Sequence, residues 1–403
     1  MTLGHRRVAL NADRFATAAA LAAGTKQPFV LYEYPEALCF AEGERANVVM
    51  PGFEGVQEAM AALPYERWRA YGWVTFEYAV HLAVPEREIR LSKDSALLLA
   101  DTEPELDALQ ERLMAATQVA ARPSTPGRVE IDLNGPEVDL YCKAVAEAIA
   151  SIRGGRLDKV ILSRVVAVQT RIDLAATYLE GRRGNNPARS FLLDLGGWEA
   201  AGFSPEIVAG VNSDGRVVTQ PLAGTRAFDG IPDQDAARRG ELYRDAKEVF
   251  EHAISVHYAT TELAGICEPG TVTVQDFMSV KERGSVQHLA SEVSGRLTTD
   301  TTGWDALAVL FPAITASGVP KRDACDLIRG VETERGLYSG AVLMADSDGS
   351  LDAALVLRSI FRRSGRTWLR AGAGVVAQSD PERELEETRE KLLSVSRFLV
   401  PAG

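Results

Sequence analysis

Three apolar runs near the C-terminus, joined by very short turns, constrain this fold more than any other feature. Leu337 to Ala345 leads into Asp346-Ser347-Asp348-Gly349, Asp352 to Phe361 leads into a turn at Ser364-Gly365, and Trp368 to Val376 completes the set. Parallel neighbours need a crossover of roughly a dozen residues, so these turns predict an antiparallel meander. Ser379-Asp380-Pro381 then opens a last helix, with a capping residue followed by proline at the first helical position.

Pro136 to Arg153 predicts a helix, with Val138, Val145, Ile149 and Ile152 among its apolar positions and Gly154-Gly155 as its stop. Lys159 to Val168 is a β-branched run that predicts a buried strand, and Phe191 to Leu195 and Ile207 to Val211 predict further strands. Asp233 to Ile266 predicts a long helix or helix pair, and Glu103 to Thr117 a shorter helix. The clearest break is Arg122-Pro123-Ser124-Thr125-Pro126-Gly127. It divides a mixed α/β segment, residues 1–127, from a body of residues 128–403 on which that segment is expected to pack. The fold class is α+β, with antiparallel sheets flanked by helices, and not a doubly wound parallel sheet.

With 44 Lys+Arg against 56 Asp+Glu the net charge is −12, a poor match for nucleic acid. No apolar run approaches the roughly 20 residues of a membrane helix. The start, MTLGHRRVALNADRF, lacks the apolar core of a signal peptide, so a cytoplasmic location is expected. Cys39, Cys142, Cys267 and Cys325 are scattered without a CxxC pair, and the five histidines form no HExxH. Reduced thiols are expected, and transition-metal chemistry is unsupported. A hard cation held by carboxylates stays open.

Carboxylates are indeed paired at helical spacing. Glu384, Glu387 and Lys391 share one face of the last helix, and Glu248 and Glu251 are spaced alike in the long helical segment. Either set alone is an ordinary solvated face. If both faced one cavity, the four glutamates would suit Mg²⁺, which prefers oxygen ligands. Lys159 heads an otherwise apolar strand, where it either snorkels to solvent or serves as a tuned base. Glu206 follows Ser204-Pro205 at a loop–strand junction and would make an acid to that base. Arg358 and Tyr338 are suited to clamping a carboxylate. Pro221 to Arg226 and Arg370 to Gly374 are glycine-containing segments whose amides can approach an anion; neither fits a dinucleotide fingerprint.

Six segments occur in an order that resembles the chorismate-utilising enzymes, over about residues 128–400: Lys159 to Arg164, Gly202 to Glu206, Pro221 to Arg226, Phe311 to Lys321, Arg335 to Gly340 and Ala371 to Gly374. That superfamily includes anthranilate synthase component I and isochorismate synthase. Val286-Gln287-His288-Leu289, Arg366 to Gly374 and Lys247 to Val256 resemble its mycobactin-type salicylate synthases. The resemblance implies a large two-lobed α+β fold and conversion of chorismate, through isochorismate, to salicylate and pyruvate. It implies Lys159 as the base activating water at C2 and Glu206 as the acid at the C4 hydroxyl. Mg²⁺ would sit on Glu251 and Glu387, with Glu248 and Glu384 reaching it through water. Arg358 and Tyr338 would hold the enolpyruvyl carboxylate. Leu222, Gly224, Thr225, Thr315, Gly372, Gly374 and Lys391 would line the pocket, with His288 near the ring.

Ammonia-using relatives carry a neutral residue in place of Lys159, so water is the expected nucleophile and no glutaminase partner is expected; a monomer is favoured. Gln220 stands where the salicylate branch carries glutamate. A synthase that stops at isochorismate is the alternative. An ammonia-using synthase and a non-catalytic chorismate binder are further readings. A siderophore route is the expected destination of the product.

Overall fold

Strand after strand in this chain carries large apolar side chains on both faces, which requires cover on both sides of a sheet. In Phe29–Glu33, Val30 and Tyr32 point one way and Leu31 the other, and all three are buried. The computed structural model describes residues 4–35, 37–121, 127–284 and 286–403 and satisfies that requirement with two sheets packed face to face. The first has eleven strands. Its order runs from Gly4–Ala9 at one edge, through Phe29–Glu33, Arg189–Leu195, Trp198–Ser204, Ser359–Arg363, Arg366–Val375 and Lys159–Ala167, to Gly318–Val319 at the other. The second has ten, running from Leu222–Ala227 and Val286–Arg296 through Ile207–Val211, Leu351–Leu355 and Ala341–Asp346 to Ala46–Met50. The described pairings are antiparallel.

Tyr32, Phe191, Trp198 and Phe361 from one sheet meet Tyr71, Trp73, Val342 and Met344 from the other in the shared core. The outer face of the first sheet is covered by Arg14–Ala23, Glu103–Ala120 and the last helix, Pro381–Ser396; Ala246–Ala264 and Gly303–Leu310 cover the second. The α+β class with antiparallel sheets and flanking helices is therefore as expected.

One expectation is overturned. The three C-terminal runs do not form one meander. Asp352 to Phe361 is two strands in two different sheets, Leu351–Leu355 in the second and Ser359–Arg363 in the first. Val356, Leu357 and Arg358 make the crossing, and Arg358 adopts a left-handed φ of 50°. Both strands are buried, so the run is apolar throughout and reads as a single strand. The segment before residue 128 is joined to the rest by strand pairing. Phe29–Glu33 pairs with Arg189–Leu195, and Arg69–Val74 with Ala341–Asp346, so it extends both sheets. The expected break at Arg122 to Pro126 lies outside the described residues.

The segment Asp233 to Ile266 resolves into a helix pair, Pro232–Arg244 and Ala246–Ala264. Asp245 separates them. It ends the first and caps the second, accepting from the backbone N–H groups of Lys247 (3.0 Å) and Glu248 (3.3 Å). The four cysteines are free thiols; three are buried and Cys142 is half-buried. Among the described residues, no helix is long and apolar enough to cross a membrane.

Candidate active site

Both sheets are crossed at one place by two neighbouring strands. Trp198–Ser204 leaves the first sheet and re-enters the second as Ile207–Val211; Leu351–Leu355 leaves the second and re-enters the first as Ser359–Arg363. The strands stay hydrogen-bonded across the crossing. Leu355 N–H donates to Glu206 O (3.1 Å) and Phe203 N–H to Arg358 O (3.1 Å). Glu206 and Arg358 are therefore carried at the same seam, and both line one cavity.

Most of the expected residues meet there. Leu222, Gly224, Thr225, His288, Thr315, Tyr338, Gly372, Gly374 and Lys391 line this cavity together with Glu251 and Glu387. Glu248 and Glu384 do not line it; both are buried directly behind. Lys159 is also absent from the wall. It is fully buried, with Nζ 3.0 Å from Ser255 Oγ and 3.2 Å from Glu251 Oε1. Ile161, two residues along the same strand and hence on the same face, does line the cavity. Gln220 lies off the wall, its amide donating to Glu292 (3.1 Å).

Glu206 is 3% exposed, and burial pushes its carboxyl up to about 8 against the opposing influence of Thr315, the Leu222 N–H and Lys159. Thr315 Oγ1 donates to Glu206 Oε1, and Leu222 N–H to Oε2 at 3.3 Å. A carboxyl of this kind carries its proton at neutral pH and can act as an acid. Across the cavity Arg358 donates to Arg283 O (3.0 Å) and to His288 Nε2. Burial, then the charges of Arg358 and Lys391, holds His288 well below its ordinary value, so the ring is neutral. With Nε2 accepting from Arg358, the proton sits on Nδ1, facing Thr225 Oγ1 (3.1 Å) and Gly224 O (3.3 Å). His288 thus orients the arginine.

The glutamates converge as the spacing allowed. Ala246–Ala264 brings Glu248 and Glu251, and Pro381–Ser396 brings Glu384 and Glu387. Two glycines make room for them. A Cβ on Gly374 would lie 2.5 Å from Glu251 Cδ, and Gly224, at φ 82° in a strand bulge, approaches Glu248 Oε2. At their centre stands a residue that the sequence reading passed over. Lys247 Nζ lies 3.0 Å from Glu251, 3.5 Å from Glu384, and 3.6 Å from both Glu248 and Glu387.

The charges do not settle uniformly. Burial raises Glu387 and Glu251, but Lys391 with Lys247 for the first, and Lys247 with Lys159 for the second, more than reverse it; both end below the ordinary range. Burial dominates for Glu384, raised to about 8, and for Glu248, also raised. Glu248 Oε2 and Glu387 Oε2 are buried without a hydrogen-bond partner, and Glu251 Oε2 has only the Lys247 ammonium, 3.0 Å away. Buried carboxylate oxygens are costly to leave so, and a cation is the partner that fits them. As the side chains stand, no three acidic or imidazole groups among the described residues close on one metal-sized point, and the Lys247 ammonium stands among the four glutamates. Arg370, which also lines the cavity, is a further residue not foreseen in a role. It is tied back to Ser163 (2.8 Å) and Glu332 (2.7 Å).

The family profile for chorismate binding enzymes matches residues 15–397. The chain is 45% identical over 354 residues to a salicylate synthase from Mycolicibacterium paratuberculosis (strain ATCC BAA-968 / K-10), covering 85% of this chain and 79% of that protein. It is 39% identical over 262 residues to anthranilate synthase component 1 of Spirochaeta aurantia, covering 65% of this chain and 54% of that one. Among solved structures, the menaquinone-specific isochorismate synthase from Escherichia coli superposes with a TM-score of 0.79 at 24% identity, over 98% of this chain and 95% of that one. The putative 2,3-dihydroxybenzoate-specific isochorismate synthase from Bacillus anthracis gives 0.76 at 24% identity, over 95% and 99%. These two likenesses concern the fold.

Proposed function

The chain belongs to the chorismate binding enzyme family, and from that premise we propose that it is a salicylate synthase, converting chorismate through isochorismate to salicylate and pyruvate. The observation that carries this reading is the 45% identity to a salicylate synthase over most of both chains, joined to a cavity that holds an acid, an arginine clamp and a cation-seeking carboxylate centre.

The first step exchanges hydroxyl positions on the ring. Hydroxide leaves C4 poorly, so Glu206, protonated at neutral pH, gives its proton to the departing oxygen. Lys159 is assigned the proton of the water that attacks C2; what supports that role is the strand face it shares with Ile161, which lines the cavity, while its Nζ itself stands behind the wall beside Ser255 and Glu251. Arg358, oriented by His288, and Tyr338 hold the enolpyruvyl carboxylate. Lys391, fixed by Glu387 (2.7 Å) and Gly372 O (2.9 Å), adds positive charge at the wall of an otherwise acidic protein. Glu251 and Glu387, backed by Glu248 and Glu384, would hold a magnesium ion. When bound, the metal supplies counter-charge for the ring carboxylate. The second step needs positioning above all: the enolpyruvyl group takes the C2 hydrogen as its C–O bond to the ring breaks, releasing pyruvate and leaving the aromatic ring.

We further read the protein as a cytoplasmic monomer that needs no glutaminase, with its product feeding siderophore assembly. The test is product analysis with purified protein, chorismate and Mg²⁺. Salicylate and pyruvate in equal amounts are expected; isochorismate accumulating without either would reject the reading in favour of a synthase that stops after the first step.

A further inference from the structure

Four carboxylates surround the Lys247 ammonium, and three of them have a further fixed partner. Glu251 Oε1 is held by Lys159 (3.2 Å), Glu387 Oε1 by Lys391 (2.7 Å) and Glu248 Oε1 by Arg226 (3.0 Å). The remaining oxygens of Glu251 and Glu387 turn toward the centre, and Lys247 Nζ lies 3.0 and 3.6 Å from them. Lys247 reaches all four glutamates.

Its tether differs from those of its neighbours. Lys159 is wholly enclosed at the head of the strand Lys159–Ala167. Lys247 stands in the first turn of its helix, directly after the Asp245 cap, with 12% of its side chain open to solvent. A flexible four-carbon stem with an outlet to water can withdraw its ammonium without disturbing the helix.

We propose that Lys247 is a built-in counter-cation that occupies the divalent-metal position and is displaced by the metal, so that the ammonium and the metal exclude each other. The inference rests on the reading of the four glutamates as a magnesium site. Two cations a few ångströms apart in a buried setting repel strongly, so one leaves when the other enters. The metal-free protein thereby avoids a naked acidic core, and the metal binds more weakly than the four carboxylates alone would allow.

Two measurements test it on the full chain stripped of metal. In calorimetric titration with MgCl₂, Lys247→Gln is expected to bind Mg²⁺ at least tenfold more tightly than the wild type; equal or weaker binding overturns the inference. In wild-type protein treated with acetic anhydride and mapped by mass spectrometry, saturating Mg²⁺ is expected to raise acetylation of Lys247 at least threefold while Lys159 stays protected. Unchanged labelling overturns it, and this arm needs no variant to fold. Absence of Mg²⁺ binding to both proteins would sink the metal reading itself, whereas equal binding to both sinks the role of Lys247 alone.

Discussion

Replacing Glu206 by glutamine is expected to make the protein more stable near neutral pH while removing its activity. Burial moves this carboxyl from 4.5 to about 8. The unfolded chain ionises it from 4.5 upward, whereas the folded chain keeps it protonated until about 8. Wild-type stability therefore falls across that interval and levels off above it. At about 1.36 kcal/mol per unit, the loss accumulated by pH 7 is roughly 3 kcal/mol. Glutamine carries no charge and escapes it. Like the neutral acid, glutamine offers one carbonyl oxygen to Leu222 N–H and one donor to Thr315 Oγ1; refitting the larger NH2 group in place of the hydroxyl costs about 1 kcal/mol. The balance is a gain of about 2 kcal/mol at pH 7 and a loss of about 1 kcal/mol at pH 4, where the carboxyl is protonated in both states. For 403 residues with an unfolding entropy of about 2.1 cal/mol/K each, 2 kcal/mol corresponds to a rise in Tm of about 2 °C. Thermal melts of both proteins at pH 4.5, 6 and 7.5, alongside chorismate consumption, are the assay. A Tm difference that does not change with pH would refute the argument that Glu206 is a buried, proton-holding acid; so would chorismate turnover within tenfold of the wild type, since loss of a general acid costs about 10²–10⁴ in rate.

Lys159→Gln is expected to lose isochorismate formation from chorismate while retaining pyruvate release from supplied isochorismate; measurable salicylate from chorismate at more than a tenth of the wild-type rate would remove the base assignment. Gly374→Ala pushes a methyl against the Glu251 carboxylate, which is pinned between Lys159 and Lys247. It should cost about 1–3 kcal/mol of stability and weaken the Mg²⁺ dependence of turnover. A metal titration identical to the wild type would show that Glu251 has no part in holding the metal.

Much of the site was legible because helical spacing is strict. Glu248 with Glu251, and Glu384 with Glu387, could only point one way from each helix, and the helices do bring them together. Lys247 escaped notice for a related reason. It is four residues before Glu251 and looks like an ordinary surface pair, and nothing in local spacing reveals that a second helix closes over it. The seam was illegible too. Asp352 to Phe361 is buried along its whole length, so its apolar pattern has no phase that could mark the passage from one sheet to the other. The strands before residue 128 gave no hint of their pairing partners, because register between distant strands is a tertiary property. His288 was placed near the ring without a task; its neutral state depends on burial and on Arg358, and neither is a property of the sequence around it.

Where two adjacent strands change sheets side by side, the proton donor and the guanidinium are locked together by main-chain bonds, Leu355 to Glu206 and Phe203 to Arg358. Side-chain exchanges nearby leave the spacing of their two backbones in place, since the ties belong to the polypeptide itself. Point mutation is thus a weak tool for respacing them. Inserting or deleting a single residue on either strand, by contrast, would turn one of the pair to the opposite side of the sheet and break the catalytic geometry outright.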